Sequence, residues 1–525
     1  MKNPLNKGAL FKTILFPIVL GIVFSQNLFA NGTRKKIPLS MRKAIELTLQ
    51  NNLDIAVERI NPLIDKKNIT IEKAFFDPGL FADLSFAKEV TPSASAFSSP
   101  DVTSLKNQNF AIGVKQILKT GGSYEVKLES IRSTTNSDNA GLNPQFSSFI
   151  EMDFTQPLLK DFGINLNTRK IIIAKNNQNI SQTEFKNIVM QSISEVKNNY
   201  WDIVFKRDDL QVKKQSLDLA KDLENRVKIQ VEVGVLAPIE ILQAQAEVAV
   251  REEEVIITEN EIKDLEDQLK TKLNFSPEAE EWDLNLELTD SPSFATEKFH
   301  LDNFLKIALE KRPEIENSKI DLANKKIDVL FKKNQRYPSI NLVGNLGLNG
   351  ISGDAIPTTI FSGGTSTTRN SRFGGSYGRS LDRTLSGDFY SYDIGLKLQY
   401  PFGNRAAKRS HSVSKLEVKK TLIGMKSIER QIKLEVKEAI RAIQTNVKRV
   451  KVTNVSKILA EEKLRAEEKK FEVGLSTSFQ VLEFQKDLVD AQSKKIKAII
   501  DYNKSIVQLY KVAGITLEKN NVRLH

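Results

Sequence analysis

The residue types that carry most enzyme chemistry are scarce in this chain of 525 residues. It has no cysteine, and its three histidines, His300, His411 and His525, are far apart in the sequence. The absence of cysteine excludes thiol catalysis, thiolate metal sites and a lipid-modified N-terminal cysteine. A histidine-based triad or metal site is not expected, and no phosphate loop or nucleophile elbow is found at mechanistic spacing. The sequence therefore predicts a protein that is not an enzyme and has no catalytic, cofactor or metal residues.

The positive charge of the chain is spread along it. The formal net charge is +12, and basic residues alternate with acidic ones in stretches such as KLRAEEKK (463–470). Mixed charges of this kind are typical of a solvated helix face, whereas nucleic-acid binding concentrates basic residues in a patch. No nucleic-acid partner is expected.

One short segment occurs twice, as VEVGVLAPIEILQAQ (231–245) and FEVGLSTSFQVLEFQ (471–485). With a shift of 240 positions, Glu232, Val233, Gly234, Leu242 and Gln245 coincide with Glu472, Val473, Gly474, Leu482 and Gln485. Glycine can adopt the left-handed conformation that reverses a helix tightly. The flanking Val233, Val235, Val473 and Leu475 would present small apolar side chains to a partner. The alternative is that these are ordinary turns with apolar residues stapling the helix ends.

The duplication extends over most of the chain. LTLQNNLDI (47–55) matches IALEKRPEI (307–315), and IEMDFTQPL (150–158) matches IGLKLQYPF (394–402). Each half has the same order: helix, proline, strand, polar loop, strand, proline, long helix, glycine turn and helix. A two-fold internal repeat explains this order. The predicted division is a first repeat at 31–273, an equatorial linker at 274–298, a second repeat at 299–515 and a C-terminal tail at 516–525.

The helices of each repeat are predicted to be long. The long helices span about 166–233 and 404–472, and the return helices about 236–272 and 477–513. Shorter helices precede the strands at about 40–77 and 300–336, each with a break near its middle. A helix of about 68 residues is roughly 100 Å long. One long helix could therefore lie beside two short ones, with linker 274–298 as a belt at the midpoint.

The strands alternate apolar and polar residues. In YSYDIGLKLQYPF (390–402), Tyr392, Ile394 and Leu396 share one face, and Asp393 and Lys397 the other. Four such segments occur in the first half, at 80–88, 109–118, 123–132 and 147–156, and two within about 340–401 of the second. Long polar loops at 91–108, 131–148 and 349–388 connect them. A soluble sheet also alternates, but with a signal peptide the pattern favours an outer-membrane barrel wall.

A signal peptide is predicted at 1–30. The apolar run at 13–24 follows a basic leader, and cleavage is expected after Ala30 or, alternatively, after Ser25. The run is too short to cross a bilayer, and no later run of 18 apolar residues follows. Since six strands cannot close a barrel, the protein must form an oligomer. Either all six strands belong to the wall, or one hairpin rises above the membrane and leaves four.

The order of elements, the duplication and the two VG[VL] turns resemble the outer-membrane efflux protein family of the TolC type, over about 37–515. The resemblance implies an α+β membrane protein built from two internal structural repeats. In this family three chains form an outer-membrane β-barrel, usually with four strands each, that continues into a long periplasmic α-helical barrel. It also implies a homotrimer in outer-membrane lipid with a periplasmic adaptor and, through the adaptor, an inner-membrane pump of the RND or ABC type.

The resemblance also implies roles for residues near the two turns. Val233, Gly234, Val235, Val473, Gly474 and Leu475 would form the adaptor-docking tips. Glu240, Gln480 and Glu483 would line the tunnel constriction, where a ring of Glu483 from three copies favours cations. This chain has Ser476 and Phe471 where the family's best-known member has an arginine and a tyrosine, so the lock between hairpins is weaker or built differently.

The predicted function is a passive exit duct of a tripartite efflux or type I secretion system. Cargo would pass from the pump and adaptor to the exterior with no bond made or broken, and opening would be an iris-like untwisting at the tip. The alternative is an exported coiled-coil protein with a structural or adhesive role at the cell surface and no pore. Drug, metal ion, lipid and polypeptide all remain possible as cargo.

Overall fold

The computed structural model describes residues 36–92, 100–276, 282, 285–295, 297–362 and 365–524, so the predicted signal peptide at 1–30 lies outside the described residues. The helices are α1 Met41–Asn51, α2 Leu53–Ala74, α3 Ile164–Asn167, α4 Arg169–Glu232, α5 Ile239–Lys272, α6 Leu301–Lys311, α7 Pro313–Asn334, α8 Tyr377–Ser386, α9 Arg405–Glu472, α10 Ser478–Val512 and α11 Thr516–Lys519. The strands are β1 Lys36–Leu39, β2 Gly79–Pro92, β3 Val102–Ile117, β4 Ser123–Thr135, β5 Leu142–Pro157, β6 Asn285–Leu288, β7 Ser339–Ala355, β8 Thr358–Ser362, β9 Thr365–Arg369 and β10 Tyr390–Gln399.

Two long helices run through the helical part of the molecule. Helix α4 has 64 residues and α9 has 68, so each is about 100 Å long. Helices α1 and α2 pack along α4, and α6 and α7 pack along α9, while α5 and α10 return beside α4 and α9. Separate apolar clusters lie along these seams rather than in one core. Such narrow seams follow from apolar residues recurring at three- and four-residue steps.

Each short-helix pair is broken at its middle, at the residue in the N-cap position of the next helix. Asn52 lies between α1 and α2, where its side-chain oxygen accepts from Ile55 N at 3.1 Å. Its amide donates to the carbonyl of Lys272, the last residue of α5, at 2.9 Å. Arg312 precedes α7 and donates to the carbonyl of Val512, the last residue of α10, at 3.2 Å. The two repeats thus use different side chains for the same tether.

A belt crosses the molecule at the level of these breaks. Strands β1 and β6 pair in parallel, and Asp290 follows β6. The Asp290 carboxylate accepts from Met41 N at 2.7 Å and from the Tyr200 hydroxyl at 2.9 Å. Tyr200 is fully buried, and burial raises the pKa of its hydroxyl to about 12. The first part of the chain and the predicted equatorial linker are therefore fastened to the middle of α4.

The main sheet has six antiparallel strands in the order β10-β7-β5-β4-β3-β2, with four from the first half and two from the second. Strands β2 and β10 are its two edges, so the sheet is open in a single chain. The turn between β3 and β4 lies beside the start of the helices, because Gly163 N donates to Thr120 O at 3.0 Å. The turn of the β3–β4 hairpin therefore lies at the end of the sheet that adjoins the helices, as the ends of the neighbouring strands do.

One face of this sheet is apolar across all six strands. Directly paired residues share a face, and one paired row consists of Ala82, Ile112, Leu128, Ile150, Leu348 and Tyr390. The paired row on the opposite face contains Lys115, Glu125, Asp153, Asn345 and Asp393. On this polar face Lys127 lies 2.9 Å from Glu151 and 3.5 Å from Glu129.

The prediction of long polar loops is partly wrong. Strands β3, β4 and β5 extend into the segments 91–108 and 131–148, and 349–388 contains β8, β9 and α8. Polar side chains hide these strands from a hydropathy pattern, but their hydrogen bonds continue the ladder. For example, the Asn143 side chain bonds both the N–H and the carbonyl of Thr135. Among the described residues, no helix is long and apolar enough to cross a membrane.

Candidate functional site

The two glycine turns form the ends of the helical hairpins. We name 233–235 the first tip and 473–475 the second tip. Gly234 has φ +80° and Gly474 has φ +74°, both in the left-handed region. Val235 N donates to Gln230 O and Leu475 N to Lys470 O, each at 2.8 Å. These six-residue bonds are the Schellman pattern that ends a helix and reverses the chain.

The apolar side chains of both tips point away from the rest of the chain. Val233 is 68% exposed, Val235 69%, Val473 69% and Leu475 78%. A methyl group added at either glycine would meet no atom within 4 Å. The tips are therefore small apolar projections with open space around them.

The residues predicted to line a constriction have three different environments. Glu240 is half-buried, and the Ser478 hydroxyl of α10 donates to its carboxylate. Glu483 is exposed on α10. Gln480 is exposed and completes a capping box with Thr477 at the start of α10. The structure thus brings Glu240 to the second hairpin and gives Gln480 a local structural role.

Ser476 and Phe471, where this chain departs from the resemblance, are both engaged at the second tip. The Ser476 hydroxyl donates to Glu467 Oε1 at 2.5 Å, and Lys470 Nζ lies 3.0 Å from Glu467 Oε2. These two donors lower the pKa of the Glu467 carboxyl, the Ser476 bond most. Phe471 is buried in an apolar cluster that joins both hairpins and contains Leu223, Val227, Leu464, Val481 and Leu482.

Sequence reasoning missed Arg251, which lies on α5 and is only 4% exposed. Its Nη1 is 3.0 Å from Ser216 O, Ser216 Oγ and Gln485 Oε1, and its Nη2 is 3.2 Å from Leu482 O. Its Nε donates to Glu247 at 3.0 Å. One guanidinium therefore joins α4, α5 and α10. The available signal was that the duplicated position, Ala491, carries no charge.

Comparison with known proteins agrees with this architecture. Residues 304–515 match the family model described as Outer membrane efflux protein. No curated protein sequence matches the chain.

Several solved structures share the fold at low sequence identity. The outer-membrane channel OprN covers 90% of this chain over 89% of its own length, at 14% identity and a TM-score of 0.65. The match to the CmeC outer membrane channel of Campylobacter jejuni covers 92% of this chain and 90% of that channel, at 14% identity and a TM-score of 0.64. The match to the outer membrane protein VceC from the bacterial pathogen Vibrio cholerae covers 90% of this chain and 96% of that protein, at 15% identity and a TM-score of 0.63.

The chain therefore has the mixed helix and strand fold of solved outer-membrane channels. The second repeat carries the sequence pattern of the outer membrane efflux protein family, and the resemblance found from the sequence is confirmed.

Proposed function

We propose that the protein is an outer-membrane exit duct of an efflux system. The observation that carries this proposal is one open sheet with a continuous apolar face, followed by helical hairpins about 100 Å long. The apolar face suits lipid, and the polar face suits a water-filled lumen. The helices would cross the periplasm and end at the two tips. Transport through such a duct makes and breaks no bond.

The assembly we propose is a homotrimer, because one chain leaves its sheet edges and helix seams uncovered. Strands β2 and β10 run antiparallel, so β10 of one copy can pair with β2 of the next and close a ring. The helices also present exposed apolar side chains at helical spacing. They are Leu242, Val250 and Ile257 on α5 and Val452, Val455 and Leu459 on α9.

We infer that all six strands of each chain belong to the wall. The apolar row continues through the β3–β4 hairpin, whose turn reaches the helix end of the sheet. Three copies would then give eighteen strands. By strand spacing and tilt, such a ring is about 36 Å across, against about 24 Å for twelve.

The tips are the proposed docking points for a periplasmic adaptor. Val233, Val235, Val473 and Leu475 are exposed, apolar and carried on rigid helix ends, which are properties of a protein-binding surface. Through the adaptor the duct would serve an inner-membrane pump of the RND or ABC type, in efflux or in type I secretion. An exported coiled-coil surface protein with a structural or adhesive role and no pore would not need the six-stranded sheet with its apolar face.

We propose that Glu483 from three copies forms a ring of negative charge at the tunnel mouth. Glu240 and Gln480 would lie nearby on the hairpins. The test is single-channel conductance of detergent-extracted protein in a planar bilayer. Discrete cation-favouring steps are expected, with cation selectivity reduced in Glu483→Ala because the carboxylates attract cations. The control is Glu462→Ala, which removes an exposed glutamate of α9 that pairs with Arg465 at 3.2 Å.

The outcomes separate the two parts of this proposal. Steps that respond equally to both substitutions, or to neither, would keep the duct and remove Glu483 from the constriction. A protein that dissolves without detergent and never conducts would contradict the duct and favour the coiled-coil alternative.

A further inference from the structure

We propose that Arg251 is the link that holds the first hairpin, α4 and α5, against α10 when the tip is closed. This inference rests on the proposed function, because a releasable link has a role only in a tunnel that opens. The same contact would otherwise be a static brace between the hairpins.

The link lies well behind the tips. Arg251 is 17 positions after Gly234, which is about 25 Å along a helix. Its contacts to α10 go to the side chain of Gln485 and the carbonyl of Leu482, and its contacts to α4 go to Ser216. Helices α5 and α10 otherwise touch little, so this guanidinium is a principal polar connection between the two return helices among the described residues.

The chemistry of the contact suits a link that closes and releases. A buried guanidinium is stable only while its donors are paired, and here acceptors surround all three nitrogens. If the hairpins part, water can solvate the charge, which offsets much of the lost bonding. A seam sealed only by leucines would instead expose apolar surface with no such compensation.

The link is a departure from the internal repeat. A shift of 240 positions carries Ser216 to Ser456 and Gln485 to Gln245, so both acceptor types are duplicated. Arg251 alone is replaced, by Ala491, which is buried without a charge. Only one of the two hairpins therefore supplies a cation. Ser476 supplies no cation at the second tip, so Arg251 takes over the connection between hairpins from a position deeper in the bundle.

Two further contacts extend the connection along α4 and α10. Asp209, which is buried on α4, accepts from the Ser493 hydroxyl of α10. Lys504 Nζ lies 2.8 Å from both carboxylate oxygens of Asp202. These contacts join two helices, whereas Arg251 joins three and lies nearer the tips. Its removal is therefore expected to loosen the tip end, where the apolar cluster around Phe471 still joins the hairpins, and to leave the equatorial end of the seam intact.

The first test compares gating of the trimer carrying Arg251→Met with the wild type in a planar bilayer. Methionine fills much of the same space without the donors, so the ratio of open to closed time is expected to rise about tenfold or more. Arg251→Lys keeps the positive charge but loses the planar set of donors. Its ratio of open to closed time should therefore lie between those of the wild type and Arg251→Met. Arg465→Met, on an exposed arginine of α9, is the matched control and should gate like the wild type.

The second test measures the tips directly and does not depend on conduction. Because the chain has no cysteine, spin labels can be placed only at Val235→Cys and Leu475→Cys. Pulsed electron paramagnetic resonance should show a broader or longer distance distribution when Arg251→Met is added. If that variant does not assemble, Gln485→Ala removes the α10 acceptor and should shift the distribution in the same direction.

The two measurements distinguish the failures. Wild-type protein that never conducts, but whose tip distances respond to Arg251→Met, would overturn the duct and reduce the Arg251 link to a static brace between the hairpins. Conducting protein whose distances and open fraction are unchanged in both Arg251→Met and Gln485→Ala would overturn the link and keep the duct. An equal response to Arg465→Met would also overturn it, since any lost arginine would then suffice.

Discussion

At the scale of single residues, the second tip is stabilised by a carboxylate rather than by an arginine. The Ser476 hydroxyl donates to the Glu467 carboxylate, which also forms an ion pair with Lys470. Glu467 is only 6% exposed. These bonds tie the chain just after Gly474 back to the last turns of α9. The turn is therefore held within its own hairpin, and the polar contacts nearest the tips between the two hairpins are those of Arg251 and the Glu240–Ser478 bond.

The Glu467 contact gives a pH prediction for the second tip. Its pKa is lowered in the folded chain, so its stabilisation is fully present above the ordinary carboxyl value of about 4.3 and is lost as the pH falls through the lowered pKa. Protection of the amides of 471–480 against hydrogen exchange, corrected for intrinsic rates, should therefore fall below about pH 4. Glu467→Gln should show reduced protection already at pH 7. Equal protection in both proteins across this range would contradict the role of the carboxylate.

The glycine of the second tip permits a second residue-scale prediction. Alanine at position 474 would meet no neighbouring atom, so its cost is the left-handed backbone alone, about 1–2 kcal/mol. Gly474→Ala should therefore increase local opening of the tip in hydrogen exchange by roughly tenfold. Gly424→Ala is the matched control, because Gly424 lies inside α9 with open space and ordinary dihedrals. There alanine should stabilise the helix by about 0.5–1 kcal/mol.

These residues differ in how well a sequence reveals them. The tip glycines carry a local signal, because a duplicated glycine between two helices needs no distant partner. Arg251 has no local sequence signal, since AEVAVREEEV (246–255) is an ordinary helix segment, and only the comparison with Ala491 in the other repeat sets it apart. Its partners are 35 and 234 positions away, and only the packing of three helices brings them together.

At the scale of elements, helix α8 shows how the sheet accommodates a covering helix. It lies on the apolar-face side of β5 and β7, at the end of the sheet away from the helical part. The Ser380 hydroxyl lies 2.7 Å from that of Ser148, and the Tyr377 hydroxyl 2.6 Å from that of Ser130. Small residues on the strands leave the room that α8 occupies. The paired row of Ser130, Ser148 and Gly350 continues the apolar face toward this end of the sheet, but it has serine and glycine where the rows nearer the helical part have leucine and isoleucine.

Gly350 is the position on which this docking depends. A Cβ there would collide with the Ser380 carbonyl and with Thr384. Gly350→Val should therefore displace α8 and make it sensitive to added protease at Arg379 or Arg383 in the detergent-extracted protein. Gly344→Val on the same strand is the control, since its Cβ would meet only Asp393 O at 3.9 Å. Undiminished protease resistance in Gly350→Val would show that α8 is not held by this contact.

The elements were predictable in proportion to their periodicity. Alternating segments such as IEMDF (150–154) predicted strands, and three- and four-residue steps predicted the long helices. The upper strand ends and β9 were missed because most of their residues are polar on both faces, and β8 and α8 were missed because they lie in the segment 349–388, which is rich in Gly, Ser and Thr. Their structure comes from cross-strand bonds such as Ser133 Oγ to Asn107 Oδ1 at 2.8 Å, which leave no hydropathy pattern.

At the scale of the whole molecule, the open question was whether the chain contributes four or six wall strands. The resemblance implies four, while the sheet pairs six with one apolar face. The strands β3 and β4 would be out of place above a membrane, because their apolar residues would then face water. In the proposed trimer, the width of the lumen, and hence the largest cargo that it would admit, depends on this difference.

Tryptophan quenching by brominated lipid can decide between the two arrangements. The only native tryptophans, Trp201 and Trp282, lie in the helical part, so a new one reports on the sheet. Ile112 and Lys115 are both exposed on β3 but lie on opposite faces. If the hairpin belongs to the wall, Ile112→Trp should be quenched strongly in brominated-lipid vesicles and Lys115→Trp weakly, because only the apolar face meets lipid. If the hairpin rose above the membrane, neither would be quenched, while Tyr392→Trp on β10 still would be. That result would reduce the wall to four strands per chain and the ring to twelve.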